Sequence, residues 1–492
     1  MNPPLAAALD LACRTFPGSL AVQDERESLT YAALSSRAQA STEALIAGQA
    51  NADEPVIVVV GNRAADFASI LGIWRAGCVA VPSHFTAPPA VLDALVERTG
   101  ARFVVDGAAG EASGEACGAV RTLDRSAPAS RELLRGAAFV IFTSGSTGLP
   151  KGAVISHRAL SGKLAANDAY LHFGPESRTL LALQITFSFG IWVSLLTLAR
   201  GGSLFALQKF DAERALDAIA THAIERVAFV PTMLRAILAH GERDPAKLAV
   251  LREPCRLRLL MTGGESLGAR LCAAARSLFP TATLIDIYGL TETATSDFVL
   301  QGGDLDAYAG CIGRPAPGVE FRIAGANGER GETGELQIRT QFAMNGYLDA
   351  PELTEAAFAD GYFRTGDLAR ERAPGVVELV GRAKEIISRG GSKVAPLEVE
   401  QALLQHPDVA QALVTGVPDA KLGERIHALI IARRGSQPSA EALRAWAATR
   451  MEKYKLPDVW HFGSELPLGR TGKVDRGSLR ELIVTGSIAD AK

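Results

Sequence analysis

Residues 142–152 read FTSGSTGLPKG and follow directly on an apolar run at residues 137–141. Glycines let backbone N–H groups approach an anion closely, hydroxyls add donors, and Lys151 supplies a cation, so this composition favours a polyphosphate ligand. A flexible loop without a ligand is the alternative, but the position between a buried strand and a Pro-Lys-Gly stop disfavours it. A Walker A loop is also disfavoured, because Pro150-Lys151-Gly152 stands where that motif requires Gly-Lys-Ser/Thr. The predicted phosphate-binding residues are Thr143, Ser144, Gly145, Ser146, Thr147, Gly148 and Lys151.

Beyond this stretch the sequence alternates short apolar or β-branched runs with longer helical patterns rich in Ala and Leu. Such alternation predicts an α/β fold with parallel sheets flanked by helices. Between residues 319 and 339, short strand patterns separated by Gly-rich turns indicate a hairpin-rich β section. After Arg382 the pattern returns to strands and helices, and we place a domain boundary near Lys384.

The composition is that of an ordinary globular protein, with 492 residues of which 48% are apolar and 21% charged. This length exceeds what one hydrophobic core usually supports, so we expect at least two domains. A formal net charge of -3 without a run of Lys or Arg argues against nucleic acid as a partner. The longest apolar stretches are too short to cross a membrane. Scattered cysteines and the absence of a signal-peptide pattern predict a cytoplasmic protein.

Further motifs follow in order along nearly the whole chain. The most distinctive are MTGGESL at residues 261–267, YGLTET at 288–293, YFRTGD at 362–367, GRAK at 381–384 and GRTGK at 469–473. With the phosphate-binding stretch, this series resembles the adenylate-forming superfamily, which includes acyl-CoA synthetases, peptide-synthetase adenylation domains and firefly luciferase. The resemblance implies a large N-terminal AMP-binding domain, residues 1–383, with parallel sheets flanked by helices and a small β-barrel-like section. It also implies a small mobile α+β C-terminal domain, residues 384–492.

The resemblance gives these motifs a part in binding ATP and Mg²⁺. The Tyr288 ring offers a flat face to adenine, Thr291 can hydrogen-bond the α-phosphate, and Glu292 is a hard oxygen ligand suited to Mg²⁺. Asp367 is implied to bind the ribose hydroxyls with the help of Arg382. The other implied nucleotide-binding residues are Gly264, Glu265, Ser266, Asp286 and Gly289.

Lys473 lies in a hydrophilic loop near the C-terminus and is implied to be the mobile catalytic lysine. It would place a cation between the acyl carboxylate and the α-phosphate, where two anions meet and charge develops in the transition state. Lys384 occupies the family's hinge position, and Gly390 and Gly391 resemble glycines that line the thiol tunnel after rotation. The implied catalytic set is Lys473, Glu292, Thr147 and Lys151.

The implied acyl pocket uses residues 184–192, QITFSFGIW, and contains Phe187, Phe189, Gly190, Trp192 and, from a neighbouring motif, Gly263. Core packing is the alternative role for each aromatic residue here. Amino-acid-activating relatives usually place an Asp after a Phe of this segment, whereas Ser188 and Gly190 stand there. A buried ammonium without a carboxylate partner is unfavourable, which argues against an α-amino acid. Ile287 replaces the Arg of malonate-activating relatives, so the predicted substrate is an apolar or aromatic monocarboxylic acid.

The predicted protein is thus a carboxylate–CoA ligase, which forms an acyl-adenylate with release of pyrophosphate and transfers the acyl group to coenzyme A. An acyl-carrier protein's phosphopantetheine thiol is the alternative acceptor. A non-catalytic nucleotide-binding protein of the same fold is a third possibility, which the intact Lys151 and Lys473 disfavour. We expect a monomer or homodimer. His157, just after Ser156 at an apparent helix start, is predicted to cap that helix or lie on the surface.

Overall fold

A computed structural model describes residues 4–107, 119–143, 150–245, 248, 251, 255–265, 267–325, 332–469 and 474–488. The helices among them are α1 (Pro4–Thr15), α2 (Tyr31–Ala47), α3 (Ala64–Arg75), α4 (Pro89–Thr99), α5 (His157–Leu171), α6 (Ser188–Ala199), α7 (Ala212–Thr221), α8 (Pro231–Arg243), α9 (Gly268–Leu278), α10 (Gly303–Ala307), α11 (Pro351–Ala356), α12 (Pro396–Leu403), α13 (Ala440–Ala448) and α14 (Arg476–Val484).

The strands among the described residues are β1 (Leu20–Gln23), β2 (Ser28–Thr30), β3 (Pro55–Val60), β4 (Val79–His84), β5 (Phe103–Asp106), β6 (Ala119–Thr122), β7 (Ala137–Thr143), β8 (Lys151–Ser156), β9 (Arg178–Leu181), β10 (Ser203–Ala206), β11 (Arg226–Phe229), β12 (Leu259–Gly263), β13 (Thr283–Tyr288), β14 (Phe298–Gln301), β15 (Arg314–Pro315), β16 (Val319–Ala324), β17 (Gly334–Thr340), β18 (Gly346–Tyr347), β19 (Phe358–Ala359), β20 (Tyr362–Ala373), β21 (Val376–Arg382), β22 (Ile387–Arg389), β23 (Ser392–Val394), β24 (Val409–Asp419), β25 (Gly423–Ala432) and β26 (Val459–Gly463).

Two large sheets confirm the predicted α/β class. The first has the order β15-β14-β13-β12-β11-β9-β10-β1-β2, and its six inner strands from β13 to β1 run parallel. The second has the order β18-β8-β7-β4-β3-β5-β6, with β7, β4, β3 and β5 parallel. Antiparallel strands stand at the edges of both sheets.

The inner strands are continuous apolar runs, as expected for parallel strands that are covered on both faces. The β3 strand reads PVIVVV, and all but one of its residues are buried. Helices then begin at capping residues: the Thr30 hydroxyl accepts from the Ala33 N–H at the start of α2, and the Ser156 hydroxyl accepts from the Ala159 N–H at the start of α5. Strand patterns and caps together therefore set the alternation of elements.

The chain divides by packing into two units. The first comprises Met1–Phe321 and Ile338–Phe363, and the second Arg322–Gln337 and Arg364–Lys492. A five-stranded sheet of order β23-β22-β25-β24, with β26 beside β25, lies in the second unit. Strands β16 and β17 are neighbours in another five-stranded sheet, in the region where a hairpin-rich section is predicted. A packing division does not locate a hinge, so the boundary at Lys384 stays a prediction.

His157 departs from the sequence expectation of a capping or surface residue. Ser156 provides the cap, and the His157 ring is 3% exposed and packs edge-on against Trp74, with ring centroids 5.2 Å apart. Burial lowers the pKa of His157 to about 4, because it disfavours the imidazolium. The residue is therefore a neutral part of the core.

This burial predicts that His157→Phe makes the protein less sensitive to acid. An unfolded His has a pKa near 6.5, so the stability that neutral His157 contributes is complete above about pH 6.5 and is lost as the pH falls towards 4. The loss amounts to about 3 kcal/mol. Burial raises the pKa of Asp66 and of Asp286 to about 6, so these two carboxyl groups add stability as the pH falls. This contribution is the same in the wild type and in His157→Phe. Urea unfolding at pH 4.5 and pH 7 measures the free energy of unfolding of each protein. If the wild type and His157→Phe lose the same amount of stability between these pH values, His157 is not a buried neutral group.

Candidate active site

The hairpin of β7 and β8 holds the two ends of the predicted phosphate loop together. Thr143 pairs with Lys151 in the register of the two strands, and its hydroxyl donates to the Lys151 carbonyl at 3.4 Å. The predicted strand before the loop is confirmed. Five of the predicted phosphate-binding residues lie outside the described residues, namely Ser144, Gly145, Ser146, Thr147 and Gly148.

Tyr347 connects Lys151 to Glu292, although these two predicted site residues belong to motifs far apart in the sequence. The Lys151 Nζ lies 5.1 Å from the centroid of the Tyr347 ring, and the Tyr347 hydroxyl donates to Glu292 Oε1 at 2.9 Å. The Met344 N–H also donates to the Glu292 carbonyl at 2.7 Å. Burial, with the Glu292 carboxylate adding to it, raises the pKa of Tyr347, so the phenol remains a donor. Tyr347 thereby contacts both the cation and the carboxylate.

Removing this phenol tests whether it orients Glu292. Tyr347→Phe keeps the ring beside Lys151 but deletes the donor to the carboxylate, and a hydrogen bond to a charged group contributes about 1.5–3 kcal/mol. We expect kcat/KM for Mg²⁺·ATP to fall by at least about 10-fold, with the KM for the acid little changed. Steady-state kinetics with each substrate varied separately provide the measurement. Tyr454→Phe, at an exposed ring, is the matched control, and an unchanged KM and kcat for ATP in Tyr347→Phe would refute the role.

The YGLTET motif spans the end of β13 and the turn after it. Asp286 lies on β13 and is buried; the Thr262 hydroxyl on the neighbouring strand donates to its carboxylate at 2.6 Å. The Tyr288 ring packs edge-on against Phe298, with centroids 6.0 Å apart. Thr291 and Glu292 form a 3-10 turn, Thr291–Thr293. The structure therefore places Asp286 within the sheet and Tyr288, Thr291 and Glu292 at its carboxyl end.

The other motif predicted to bind the nucleotide, MTGGESL, lies at the end of β12, the parallel neighbour of β13. Gly264 is exposed and has a φ of 90°, which glycine adopts readily. Glu265 lies 3.6 Å from Arg235 Nη1 on α8. Ser266 lies outside the described residues. Arg235 is absent from the sequence prediction because it belongs to no motif and reaches Glu265 only through the packing of α8.

The predicted acyl segment contacts the Thr291–Thr293 turn through its first helical residue. The hydroxyls of Ser188 and Thr291 are hydrogen-bonded at 3.1 Å. Phe189 borders Gly263, since a Cβ at Gly263 would lie 3.3 Å from Phe189 Cε1 and 2.4 Å from the Ile287 carbonyl oxygen. A larger residue at 263 would therefore close the space next to Phe189.

The remaining acyl-segment residues have different environments. Phe187 is part-buried and precedes α6 as its N-cap residue. Trp192 is fully buried and stacks on Phe189, with centroids 5.6 Å and an interplanar angle of 17°. At Gly190 a Cβ would lie 2.4 Å from the Gln184 carbonyl oxygen. Trp192 thus supports Phe189 from behind, and Gly190 permits close packing at the start of the helix.

In the second unit, strands β20 and β21 place the two predicted ribose-binding residues opposite each other. Asp367 pairs with Arg382 in the strand register, and Arg382 Nε lies 3.1 Å from Asp367 Oδ1. The Thr365 hydroxyl accepts from the Asp367 N–H at 3.0 Å. The pairing that the motifs suggest is therefore present as a cross-strand ion pair.

Lys384 lies in a 3-10 turn, Ala383–Glu385, which follows β21. Gly390 and Gly391 have φ values of 56° and 86° and form a two-residue turn between the paired residues Arg389 and Ser392. A hairpin turn with positive φ at both positions requires such residues, so the turn itself explains the two glycines. Their role in a thiol tunnel and the hinge role of Lys384 stay predictions. Lys473 lies outside the described residues.

No helix in the described part of the chain is long and apolar enough to span a bilayer. In the same part of the chain, no group of three or more His, Cys, Asp or Glu residues could hold a metal ion alone.

Comparison with known proteins gives the family. The AMP-binding enzyme family matches residues 9–348, and the AMP-binding enzyme C-terminal domain matches residues 398–473. A feruloyl-CoA synthase from an Amycolatopsis species is 31% identical over 95% of this chain and 96% of its own length. A sulfoacetate–CoA ligase from Cupriavidus necator is 31% identical over 96% of each chain.

The crystal structure of ATP-bound MatB from Rhodopseudomonas palustris superimposes with a TM-score of 0.84 at 26% identity, covering 98% of this chain and 99% of that one. The resemblance inferred from the motifs is therefore confirmed for both matched regions, residues 9–348 and 398–473. The chain belongs to the AMP-binding enzyme family, within the adenylate-forming superfamily, and is acyl-CoA synthetase-like.

Proposed function

We propose that this protein joins an apolar or aromatic monocarboxylic acid to coenzyme A in two steps. In the first, a carboxylate oxygen attacks the α-phosphorus of ATP, the bond to the β-phosphate oxygen breaks, and pyrophosphate leaves. In the second, the thiolate of coenzyme A attacks the acyl carbon, the bond to the AMP oxygen breaks, and AMP leaves. The observation that carries the proposal is the Ser188–Thr291 hydrogen bond, because it joins the acyl segment to the turn that bears Glu292.

The residues of this turn fit a magnesium ion that arrives with ATP. Mg²⁺ is usually held by one or two carboxylates together with substrate phosphates and waters. Glu292 supplies one carboxylate, oriented by the Tyr347 hydroxyl, and Lys151, whose Nζ lies over the Tyr347 ring, supplies a cation for the phosphates. Bound there, Mg²⁺ would neutralise charge on the phosphates. Glu292 and Lys151 would position the triphosphate for in-line attack.

The acid is proposed from what lies beside Phe189. The part-buried Phe189 ring and the glycine at 263 favour a flat apolar group next to Thr291. Ser188 and Gly190 offer no carboxylate to an ammonium, and Ile287 offers no cation to a second carboxylate. The relative from Amycolatopsis is a feruloyl-CoA synthase, which supports an aromatic acid.

The test is product analysis with Mg²⁺·ATP and a panel of aromatic, short-chain, medium-chain and amino acids. Release of AMP and pyrophosphate with an aromatic acid, and of acyl-CoA when coenzyme A is present, is the expected result. ADP and orthophosphate as products would refute the reaction type. Transfer to a carrier-protein phosphopantetheine but not to coenzyme A would establish the alternative acceptor. Nucleotide binding without turnover of any acid would support the non-catalytic alternative.

A further inference from the structure

The turn that carries Thr291 and Glu292 ends in three consecutive left-handed residues. Ala294, Thr295 and Ser296 have φ values of 56°, 64° and 60°, and no other run of non-glycine residues with positive φ occurs among the described residues. Side chains disfavour this conformation, most strongly when they are β-branched like Thr295. All three residues are buried. Such backbone persists only where its surroundings fix it, and it clusters at functional sites.

The surroundings of this run are organised by a buried ion pair, Lys163–Asp297. Lys163 Nζ lies 3.0 Å from Asp297 Oδ1 and donates to the Ser296 carbonyl at 3.2 Å, and both charged side chains are fully buried. The other oxygen, Asp297 Oδ2, accepts from the Leu290 N–H at 3.3 Å and from the Thr293 hydroxyl. The carboxylate therefore binds the turn before Thr291 and after Glu292, and the ammonium binds the left-handed run.

Further contacts lock the same turn. Tyr170 on α5 shares a hydrogen bond of 3.1 Å with the Ser296 hydroxyl. Lys163 Nζ lies 5.2 Å from the centroid of the Phe342 ring. At Gly289, a Cβ would lie only 2.1 Å from the Ser296 backbone nitrogen, so the two ends of the turn are in direct backbone contact.

A buried ion pair is weak evidence for a stabilising role, because apolar residues of similar volume often serve stability as well. The contacts of the Lys163–Asp297 pair indicate instead that it holds the Thr291–Glu292 turn in place. Lys163 lies on α5, the helix that follows β8, and β8 begins at Lys151. The pair thus joins the element behind the phosphate-binding lysine to the turn of the magnesium-binding glutamate.

We propose that Lys163 and Asp297 are positioning residues that hold the Thr291–Glu292 turn in its nucleotide-binding conformation by fixing the left-handed run behind it. The proposal rests on the proposed function of this turn in binding Mg²⁺·ATP. Neither residue touches the nucleotide. Each acts through the backbone of the residues that do.

Calorimetric titration with Mg²⁺·ATP in the absence of any acid tests the proposal. We expect Asp297→Asn and Lys163→Met to raise the Kd at least about 10-fold at a temperature where both variants are folded. The matched control is Glu54→Gln, which removes the charge of a buried carboxylate from another ion pair, Glu54–Arg102, at the amino end of β3. This control should lose stability but keep its Kd within about two-fold of wild type.

A rescue variant separates positioning from general destabilisation. Glycine adopts the left-handed conformation without strain, so Ala294→Gly in the Asp297→Asn background should recover at least about three-fold of the lost affinity. The milder Thr293→Val, which deletes one donor to Asp297 without stranding a charge, should weaken binding at least about three-fold and serves if the charge variants do not fold.

Wild-type affinity in the folded Asp297→Asn and Lys163→Met variants, or no recovery with Ala294→Gly, would overturn the proposal. If the two charge variants do not fold, an unchanged Kd for Mg²⁺·ATP in Thr293→Val would overturn the proposal. A wild-type protein that binds Mg²⁺·ATP but adenylates no acid would refute the proposed function alone, because the binding comparison does not depend on turnover.

Discussion

Replacing Lys473 by alanine is expected to slow acyl-adenylate formation by at least about 10²-fold and to leave thioester formation from pre-made adenylate nearly unchanged. The lysine would offset the repulsion between two anions only while the mixed anhydride forms, and a pre-organised charge of this kind contributes about 3 kcal/mol or more. Single-turnover kinetics of the two half-reactions, each started from its own substrate, provide the measurement.

The described residues on either side of Lys473 make hydrogen bonds that do not involve it. Leu468 and Val474 form a β-bridge, and the Asp475 N–H donates to the Pro467 carbonyl at 2.9 Å, so the described residues that flank positions 470–473 are joined by their own hydrogen bonds. Arg476 then donates to both oxygens of the buried Glu400, at 2.8 and 3.0 Å. Lys421→Ala, at an exposed lysine of the same unit, is the matched control and should leave both half-reactions unchanged.

Lys384→Pro is the complementary variant. Proline fixes φ, so a hinge at this residue could not rotate, and acyl-adenylate should accumulate without reaching coenzyme A. If Lys473→Ala slows both half-reactions equally and Lys384→Pro slows neither, domain alternation does not apply to this protein.

Gly289→Ala is the second substitution with a large expected effect. The added Cβ would lie 2.1 Å from the Ser296 nitrogen and 2.7 Å from the Thr295 carbonyl carbon, both backbone atoms that cannot rotate away. The turn must therefore move as a whole. Overpacking of this kind costs about 1–3 kcal/mol of stability, and a displacement near 1 Å of a catalytic group can reduce the rate about 100-fold. We expect kcat/KM for Mg²⁺·ATP to fall by about that factor.

The control for this substitution is Gly303→Ala, where an added Cβ meets nothing within 4 Å. Urea unfolding and ATP kinetics on the same preparations distinguish displaced chemistry from unfolded protein. Activity within about three-fold of wild type in folded Gly289→Ala would show that the turn tolerates the shift and that its tight closure is unimportant.

Sequence motifs identify much of the candidate site because they mark the ends of strands. Lys151 begins β8, and Glu292 follows β13 within a few residues, so both could be assigned from local pattern and chemistry. Tyr347 could not, since it belongs to no motif and meets both residues only because β18 pairs with β8. Only the three-dimensional structure identifies Tyr347, because no local sequence pattern marks it.

Buried polar residues were the least predictable from sequence. Lys163 lies on a helix that contains several other polar residues, where a lysine normally faces water, and only the packing of that helix reveals its partner Asp297. His157 was expected at the surface or as a cap for the same reason and is instead in the core. The burial of Lys163 and of His157 depends on the elements that pack against their helix. The sequence of the helix alone does not reveal those elements.

The hydrogen bond between Ser188 and Thr291 has a consequence for altering the substrate preference by directed evolution. A library that varies Ser188 would disturb the Thr291–Thr293 turn together with the predicted acyl segment, and we expect most of its members to lose activity before they gain a new preference. Gly263 is equally constrained by the Ile287 carbonyl oxygen. Phe187 and Phe189, whose rings are part-buried and whose side chains have no polar partner to lose, are the positions at which diversity can be introduced with least harm to the first half-reaction.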